Sequence, residues 1–162
     1  MRAPQKTLAD LSELVMHVSQ EFDMQAQQQQ RSIVLALTPS PLVCDVDEIG
    51  ILLRNLLDNA LRYTAAGGRV KISCGPVVNE GVECVCLEVA DDGPGVPAAE
   101  HEAVFRRFHR VAGNTGRGSG VGLSLVAGIA RLHGATLQTG EGLEGRGFSV
   151  RVLFPAPAAS QP

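Results

Sequence analysis

Two asparagines and an arginine lie on one side of a predicted helix. Residues 48–63 have strong helical character, and at about 100° per residue Asn55, Asn59 and Arg62 share one face. Asparagine oxygens are hard neutral ligands that suit Mg2+, and an arginine one turn away can neutralise a phosphate beside that metal. The same spacing also describes an ordinary solvated helix face. The metal and phosphate interpretation therefore requires evidence of a nucleotide site nearby.

An acidic, glycine-containing segment follows the predicted strand of residues 83–90. Asp91 comes at the end of this strand, and Gly93 and Gly95 have no side chain that would keep another group away from the main chain. A carboxylate in this position can accept a hydrogen bond from an amine. The alternative is a tight surface turn, because Asp-Gly and Pro-Gly are common turn dipeptides. Both interpretations remain open for this segment alone.

Glycines alternate with other residues just before the third long predicted helix. Gly116, Gly118, Gly120 and Gly122 precede the apolar positions of that helix, where main-chain N–H groups and the helix dipole can bind an anion. The segment is not a P-loop, because it lacks the pattern GxxxxGK[ST], and it also lacks the dinucleotide pattern GxGxxG. It is either a phosphate-binding loop or a flexible hinge.

The elements predicted around these segments describe one α+β domain. Apolar residues spaced by three and four predict a first helix from Leu8, and Asp10 followed by Glu13 resembles a capping box. The other predicted elements are strands at 33–37 and 42–44, a helix at 48–63 capped by Asp47, strands at 69–74 and 83–90, helices at 98–108 and 120–132, and strands at 135–139 and 147–154. This order predicts a two-layer α/β sandwich, with three main helices on one face of a mixed, mainly antiparallel sheet of about five strands.

Composition limits the class of protein. The 162 residues suit one domain, which we place at residues 8–155, with a linker at 1–7 and a flexible tail at 156–162. A formal net charge of -3 offers no basic surface for nucleic acid. No apolar run approaches the ~20 residues that span a bilayer, so we expect a cytoplasmic chain without direct membrane contact. The four cysteines lack the CxxC spacing of zinc sites and are expected to be buried thiols.

Five short motifs follow one another along the chain. They are NLLDNALRYT (residues 55–64), DDGPG (91–95), FRRFHR (105–110), GSGVGL (118–123) and GRGF (145–148). In this order they resemble the N box, the first glycine box, the F box and the two later glycine boxes of sensor histidine kinase catalytic domains. The wider superfamily includes gyrase, a heat-shock chaperone and a mismatch-repair ATPase. The resemblance covers almost the whole chain and implies a Bergerat-type sandwich with a mobile ATP lid at residues 109–119.

The resemblance also implies a role for each matching residue. Asn59 would coordinate the Mg2+ that bridges the ATP phosphates, Asn55 would support that metal or bind it, and Asp91 would accept the adenine amine. Arg62 and Arg110 would be the catalytic cations, because phosphoryl transfer depends on groups that offset charge on the moving phosphoryl. The remaining cofactor-binding residues would be Tyr63 by the sugar and base, Gly93 and Gly95 at adenine, and Gly118, Gly120, Val121, Gly122 and Leu123 at the phosphate end.

The partners implied by the resemblance are ATP or ADP, a phosphoacceptor histidine on a separate dimerisation domain and, indirectly, a response regulator. None of His17, His101 and His109 has the sequence setting of that acceptor, and His133 suits a helix C-terminus, where a partial positive charge is favourable. Residues 1–7 would then be the end of a linker from the acceptor helices. The chain would be monomeric, because those helices make the family's dimer.

Position 55 distinguishes a kinase from a hydrolase within this superfamily. The gyrase-like and chaperone-like ATPases and the anti-sigma-factor serine kinases carry a general-base glutamate four residues before the metal-binding asparagine, where this chain has Asn55. An amide cannot take a proton from water, so the kinase interpretation is favoured. The alternatives are a superfamily ATPase and a nucleotide-sensing module that binds ATP without transferring it.

Overall fold

The computed structural model describes residues 5–94 and 122–157. Along these residues the elements are β1 (Thr7–Asp10), α1 (Leu11–Gln28), β2 (Ser32–Leu37), β3 (Pro41–Cys44), α2 (Val46–Tyr63), β4 (Arg69–Asn79), β5 (Val82–Asp91), α3 (Gly122–Leu132), β6 (Thr136–Gly140), a 3-10 turn (Leu143–Gly145) and β7 (Ser149–Pro155). The predicted helix at 98–108 and the predicted lid lie outside the described residues.

Five of these strands form one sheet in the order β2-β4-β5-β7-β6. β2 and β4 are parallel, and each of the other neighbouring pairs is antiparallel. Helices α1, α2 and α3 contact one another or this sheet, and their apolar sides enclose a single core with the strands. The predicted α+β sandwich with a mixed, mainly antiparallel sheet is therefore confirmed.

Helix α2 packs its leucine side against the sheet, as its periodicity predicts. Five leucines of this helix each expose 3% or less of their surface: Leu52, Leu53, Leu56, Leu57 and Leu61. Burial of each such side chain stabilises the fold by about 1.5–3 kcal/mol. The rotation of α2 about its axis is thereby fixed, and the polar side chains between these leucines are held on the opposite side of the helix.

The first predicted helix begins three residues later than its pattern indicates. Leu8 belongs to β1, which pairs antiparallel with β3 in a separate two-stranded sheet where Leu8 faces Val43. The strand already includes Thr7, one residue before the predicted start of the domain. Asp10 is the N-cap of α1, as predicted, because its side chain accepts a hydrogen bond from the Ser12 N–H at 3.0 Å.

Two other element boundaries differ from the prediction. Asp45, not Asp47, caps α2, because its side chain accepts from the N–H groups of Asp47 and Glu48, both at 3.1 Å. Strand β4 continues through Pro76 to Asn79, well beyond the predicted end at residue 74. Strand β2 pairs with β4 only as far as Cys74. Pro76, which has no main-chain N–H to donate, therefore lies beyond the part of β4 that pairs with β2.

His133 follows α3 as predicted, but it does not act there as a partial positive charge. The side chain is only 5% exposed, and its Nε2 accepts a hydrogen bond from the Asp45 N–H at 3.1 Å. Because Nε2 is an acceptor, the proton is on Nδ1, which donates to the Ile129 carbonyl at 2.9 Å. The imidazole is neutral and joins the end of α3 to the start of α2.

Replacement of His133 by alanine should lower the free energy of unfolding by about 2–3 kcal/mol, because it removes a buried imidazole together with the hydrogen bond that this ring accepts from the Asp45 N–H. Urea denaturation of the variant measures this loss. His17→Ala is the matched control, since His17 is exposed on α1, and its effect should stay within about 0.5 kcal/mol. Equal effects of the two substitutions would contradict the structural role of His133.

Two expectations from composition can be compared with the described part of the chain. Within residues 5–94 and 122–157, no helix is both long enough and apolar enough to cross a membrane. Cys44 and Cys74 are buried free thiols, as predicted. Cys84 and Cys86 are only half-buried, because on β5 they alternate with the core residues Val85 and Leu87 and so lie on the opposite face of the sheet.

Candidate functional site

Asp91 is a buried carboxylate at the end of the central strand β5, where the sequence predicts a ligand-binding acid. It is 4% exposed. Its Oδ1 accepts hydrogen bonds from the Gly93 N–H at 2.9 Å and from the Phe148 N–H at 3.3 Å. Its own N–H donates to the Phe148 carbonyl at 3.0 Å. Because both of these side-chain bonds end on Oδ1, the carboxylate is oriented while Oδ2 receives neither of them.

The environment of Asp91 makes its charge costly. Burial raises the pKa of the carboxyl group to about 6, while the N–H groups of Gly93 and Phe148 partly oppose this rise and the nearby Asp92 adds to it. At neutral pH the group is therefore largely ionised. Among the described residues, no cation contributes to its pKa. A ligand that offers a hydrogen-bond donor to such a carboxylate stabilises its charge.

Three glycines allow the main chain to close around Asp91. A side chain on Gly93 would overlap the Tyr63 carbonyl, so its small size admits the end of α2. Side chains on Gly142 or Gly147 would overlap the Asp91 carbonyl, and Gly147 also has a positive φ of 77°. The prediction that Gly93 leaves room for adenine is not tested by these contacts, which give a different reason for glycine at this position.

Asn55 and Gly122 come together where α2 meets the start of α3. The Asn55 Nδ2 donates to the Ile51 carbonyl at 2.8 Å, one turn earlier in α2. Its Oδ1 would lie 3.1 Å from a Cβ atom built on Gly122, the first residue of α3. The absence of a side chain on Gly122 thus brings a helix N-terminus close to an amide of the predicted metal and phosphate face.

The other predicted site residues of α2 are Asn59, Arg62 and Tyr63, which follow Asn55 along the helix. Asn59 and Tyr63 are partly exposed, so neither is withdrawn into the core. Arg62 is exposed, and its Nη2 lies 2.9 Å from the Asp58 Oδ2. An exposed pair of this kind contributes little free energy, so it would not prevent Arg62 from contacting a phosphate. At 1.5 Å per residue, Asn55 and Tyr63 are separated by about 12 Å along the helix axis.

The remaining predicted site residues divide into two groups. Leu123 is partly buried and packs against the hydrophobic core. The others, Gly95, Arg110, Gly118, Gly120 and Val121, lie outside the described residues, as does Gly116. Their roles stay predictions from the sequence.

Two contributors to the Asp91 environment were not assigned to the site from the sequence. Phe148 donates its N–H to the carboxylate, and Gly142 lets the loop before β7 approach the Asp91 main chain. Residues 140–147 contain four glycines, and such a segment is typical of a loop that approaches another part of the main chain closely. Its target could not be read from the sequence, because 57 residues separate Phe148 from Asp91.

Comparison with known families supports a nucleotide site. A family model described as histidine kinase-, DNA gyrase B-, and HSP90-like ATPase matches residues 44–158. That range contains all of α2, Asp91 with its donors Gly93 and Phe148, and the start of α3. It therefore covers every residue assigned to the site from the sequence.

Similar individual proteins are sensor kinases. The chain is 44% identical over 114 residues to the sensor protein kinase PmrB of Pseudomonas aeruginosa. The matched segment covers 68% of this chain and 23% of that protein. The histidine kinase AdeS of Acinetobacter baumannii matches with a TM-score of 0.75 at 28% identity, over 96% of this chain and 69% of that one. A mycobacterial sensor histidine kinase, MprB, has the same fold, with a TM-score of 0.79 over 94% of this chain and 98% of that one, at 24% identity. The chain thus spans about a quarter of the length of PmrB.

Proposed function

The chain belongs to the family of histidine kinase-, DNA gyrase B- and HSP90-like ATPases, and we propose that it is the ATP-binding catalytic domain of a sensor histidine kinase. The observation that carries this proposal is the buried Asp91 carboxylate, which the N–H groups of Gly93 and Phe148 orient through Oδ1. The sensor kinases among its relatives supply the reaction class. Histidine phosphorylation in two-component signal transduction is therefore the proposed process.

The proposed nucleotide lies along α2, with adenine at Asp91 and the phosphates toward Asn55. Asp91 accepts a hydrogen bond from the exocyclic amine of adenine, and Tyr63 packs beside the sugar and base. The phosphates lie near the start of α3, where Gly122 brings main-chain N–H groups close to Asn55. Arg62, whose pair with Asp58 is exposed, contacts a phosphate. ATP and ADP share these contacts.

The polar side of α2 also fits a magnesium ion. Mg2+ prefers one or two protein oxygens together with substrate phosphates and water, and the amide oxygens of Asn55 and Asn59 are donors of that kind. Asn55 uses its Nδ2 for the Ile51 carbonyl, which leaves the Oδ1 directed away from its own helix turn. We assign Asn59 as the metal ligand and Asn55 as a supporting residue. When bound, the metal neutralises charge on the phosphates.

The phosphoryl group goes to a histidine of a separate dimerisation domain in the parent kinase, and from there to a response regulator. Arg110 offsets charge on the moving phosphoryl group, and Arg62 assists it. Asn55 cannot act as a base toward water, which favours transfer over hydrolysis and argues against an ATPase. We further propose that the chain is monomeric and cytoplasmic, and that it contacts neither nucleic acid nor a membrane directly.

The test of this function is the discrimination between ATP and ITP, whose base has a carbonyl oxygen where adenine has its amine. The parent chain should prefer ATP, and Asp91→Asn should weaken ATP binding by about tenfold or more, because a hydrogen bond to a charged group is lost. Calorimetric titration measures both affinities. The variant should fold, since the asparagine Oδ1 can still accept from the two N–H groups. Unchanged ATP affinity would exclude Asp91 from the site.

ATP affinity should also depend on pH through Asp91. Because the pKa of this carboxyl group is raised to about 6, it gains a proton as the pH falls below that value and loses its capacity as a charged acceptor. ATP binding should therefore weaken between pH 7 and pH 5. Asp91→Asn is the control. Its asparagine does not titrate, so any pH dependence of ATP binding that remains in the variant comes from other groups, such as the triphosphate. Identical pH profiles for parent and variant would contradict the assignment.

A further inference from the structure

Arg69, the first residue of β4, contacts Asp92, the residue next to Asp91. Its N–H donates to the Asp92 Oδ1 at 2.9 Å, and its carbonyl accepts from the Asp92 N–H at 3.3 Å. Its guanidinium Nε lies 3.7 Å from the Asp92 Oδ2. Main chain and side chain of Arg69 thus both fix the segment that continues from Asp91 to Gly93.

The same guanidinium also reaches the loop before β7. The Arg69 Nη2 donates to the Glu144 Oε1 at 2.9 Å. Glu144 has a positive φ of 55°, which non-glycine residues rarely adopt, and it lies between the two glycines that approach the Asp91 main chain. The hydrogen bond from Arg69 therefore helps to hold Glu144, and with it the loop before β7, in this uncommon conformation.

Arg69 is consequently shared by the two segments that orient the Asp91 carboxylate. One segment supplies the Gly93 N–H, and the other supplies the Phe148 N–H. The Phe148 bond is the longer of the two, at 3.3 Å, and a small displacement of the loop would break it. A planar guanidinium can bind two carboxylates at once through separate N–H groups, which a lysine cannot do in the same fixed geometry.

We propose, on the basis of the proposed function, that Arg69 is a positioning residue for base recognition. By joining Asp92 to Glu144, it fixes the relative position of the two N–H groups that bind the Asp91 Oδ1, and so the direction of the carboxylate toward the adenine amine. Arg69 acts through Asp91. Loss of this tie changes how well the carboxylate is aimed, and hence the preference for an amine over a carbonyl oxygen.

Stability and selectivity should respond differently to the loss of this tie. Glu144 is 74% exposed and Arg69 44% exposed at their side chains, so water screens their attraction. Exposed pairs of this kind contribute little to the free energy of unfolding. A positioning role therefore predicts a change in the ratio of ATP to ITP affinity with little change in stability.

Calorimetric titration of the full chain with ATP and with ITP tests this role in Arg69→Gln. The ATP to ITP affinity ratio should fall about threefold, which is the scale of one exposed ion pair, while ITP affinity stays unchanged. Glu144→Gln should lower the ratio in the same direction, and the double variant should not exceed the sum of the two effects. The matched control is Arg151→Gln, because Arg151 of β7 forms a similar exposed bond, at 2.9 Å, with Glu88 of β5.

Each outcome decides the proposal. A lower ratio in both Arg69→Gln and Glu144→Gln, with a parent-like ratio in Arg151→Gln, supports it. An unchanged ratio, or an equal loss of ATP and ITP affinity, would overturn it, because a merely structural residue affects both nucleotides alike. If the parent chain binds ATP and ITP equally well, adenine recognition by Asp91 fails, and the role of Arg69 fails with it.

Discussion

Incubated with ATP that carries a labelled γ-phosphate, the isolated chain should bind the nucleotide and remain unlabelled. Phosphate release should also stay at a trace level. The first expectation follows from the sequence, which places no histidine in an acceptor setting. The second follows from Asn55, whose amide cannot take a proton from water and whose Nδ2 already donates to Ile51. Bound ATP should therefore persist until an external nucleophile arrives.

Addition of the acceptor-helix domain of the parent kinase should restore transfer, with acid-labile label on that domain alone. Arg110→Ala should then slow transfer more than it weakens ATP binding, because offsetting charge on the moving group matters chiefly in the transition state. Acid-labile label on this chain by itself would show that one of its histidines is an acceptor. Repeated turnovers of phosphate release would show that a base other than residue 55 activates water.

Replacement of Asn59 by alanine should abolish the part of ATP affinity that depends on Mg2+. Substitution of residues that merely support a metal ligand commonly costs about 10–100-fold in affinity, so loss of a direct ligand should cost at least about tenfold. Titration with ATP in the presence of Mg2+ and in the presence of a chelator measures the effect. The fold should remain cooperative, because Asn59 lies on the polar side of α2 and not among its buried leucines.

The matched control for Asn59 is Asn79→Ala, at the end of β4 that lies opposite the Asp91 end of the β4–β5 pair. This variant should keep the Mg2+ dependence of the parent chain. Denaturation curves of both variants separate a lost ligand from a damaged fold. Parent-like Mg2+ dependence in a folded Asn59→Ala chain would refute the ligand assignment.

The sequence predicted what local pattern determines. In α2, the spacing of the leucines gave both the helix and its buried side, and the placement of Asn55 and Asn59 outside the core followed from it. The position of Asp91 at the end of β5 was predictable for a similar reason, since an apolar run ended where an acid and glycines began. Each of these features depends on neighbours in the chain.

The features that the sequence did not predict depend on distant partners. Leu8 continues the helical spacing of α1, and only pairing with β3 makes it part of a strand. Asp45 and Asp47 are both capable caps, and the local sequence does not decide between them. The neutral state of His133 depends on an N–H donor 88 residues away. Long-range contacts of this kind leave no periodic signal.

The strand that completes the Asp91 environment lies late in the chain. During synthesis, β5 emerges from the ribosome well before β7, whose preceding residue Phe148 follows Asp91 by 57 residues. Until β7 adds to the sheet, β5 has β4 as its one neighbour in this part of the sheet, and the carboxylate lacks one of its two donors. A nascent chain should therefore acquire adenine selectivity only when β7 has docked beside β5. Nucleotide binds the state in which β7 has docked and stabilises it by mass action, so ATP would protect molecules with β7 in place over those without it.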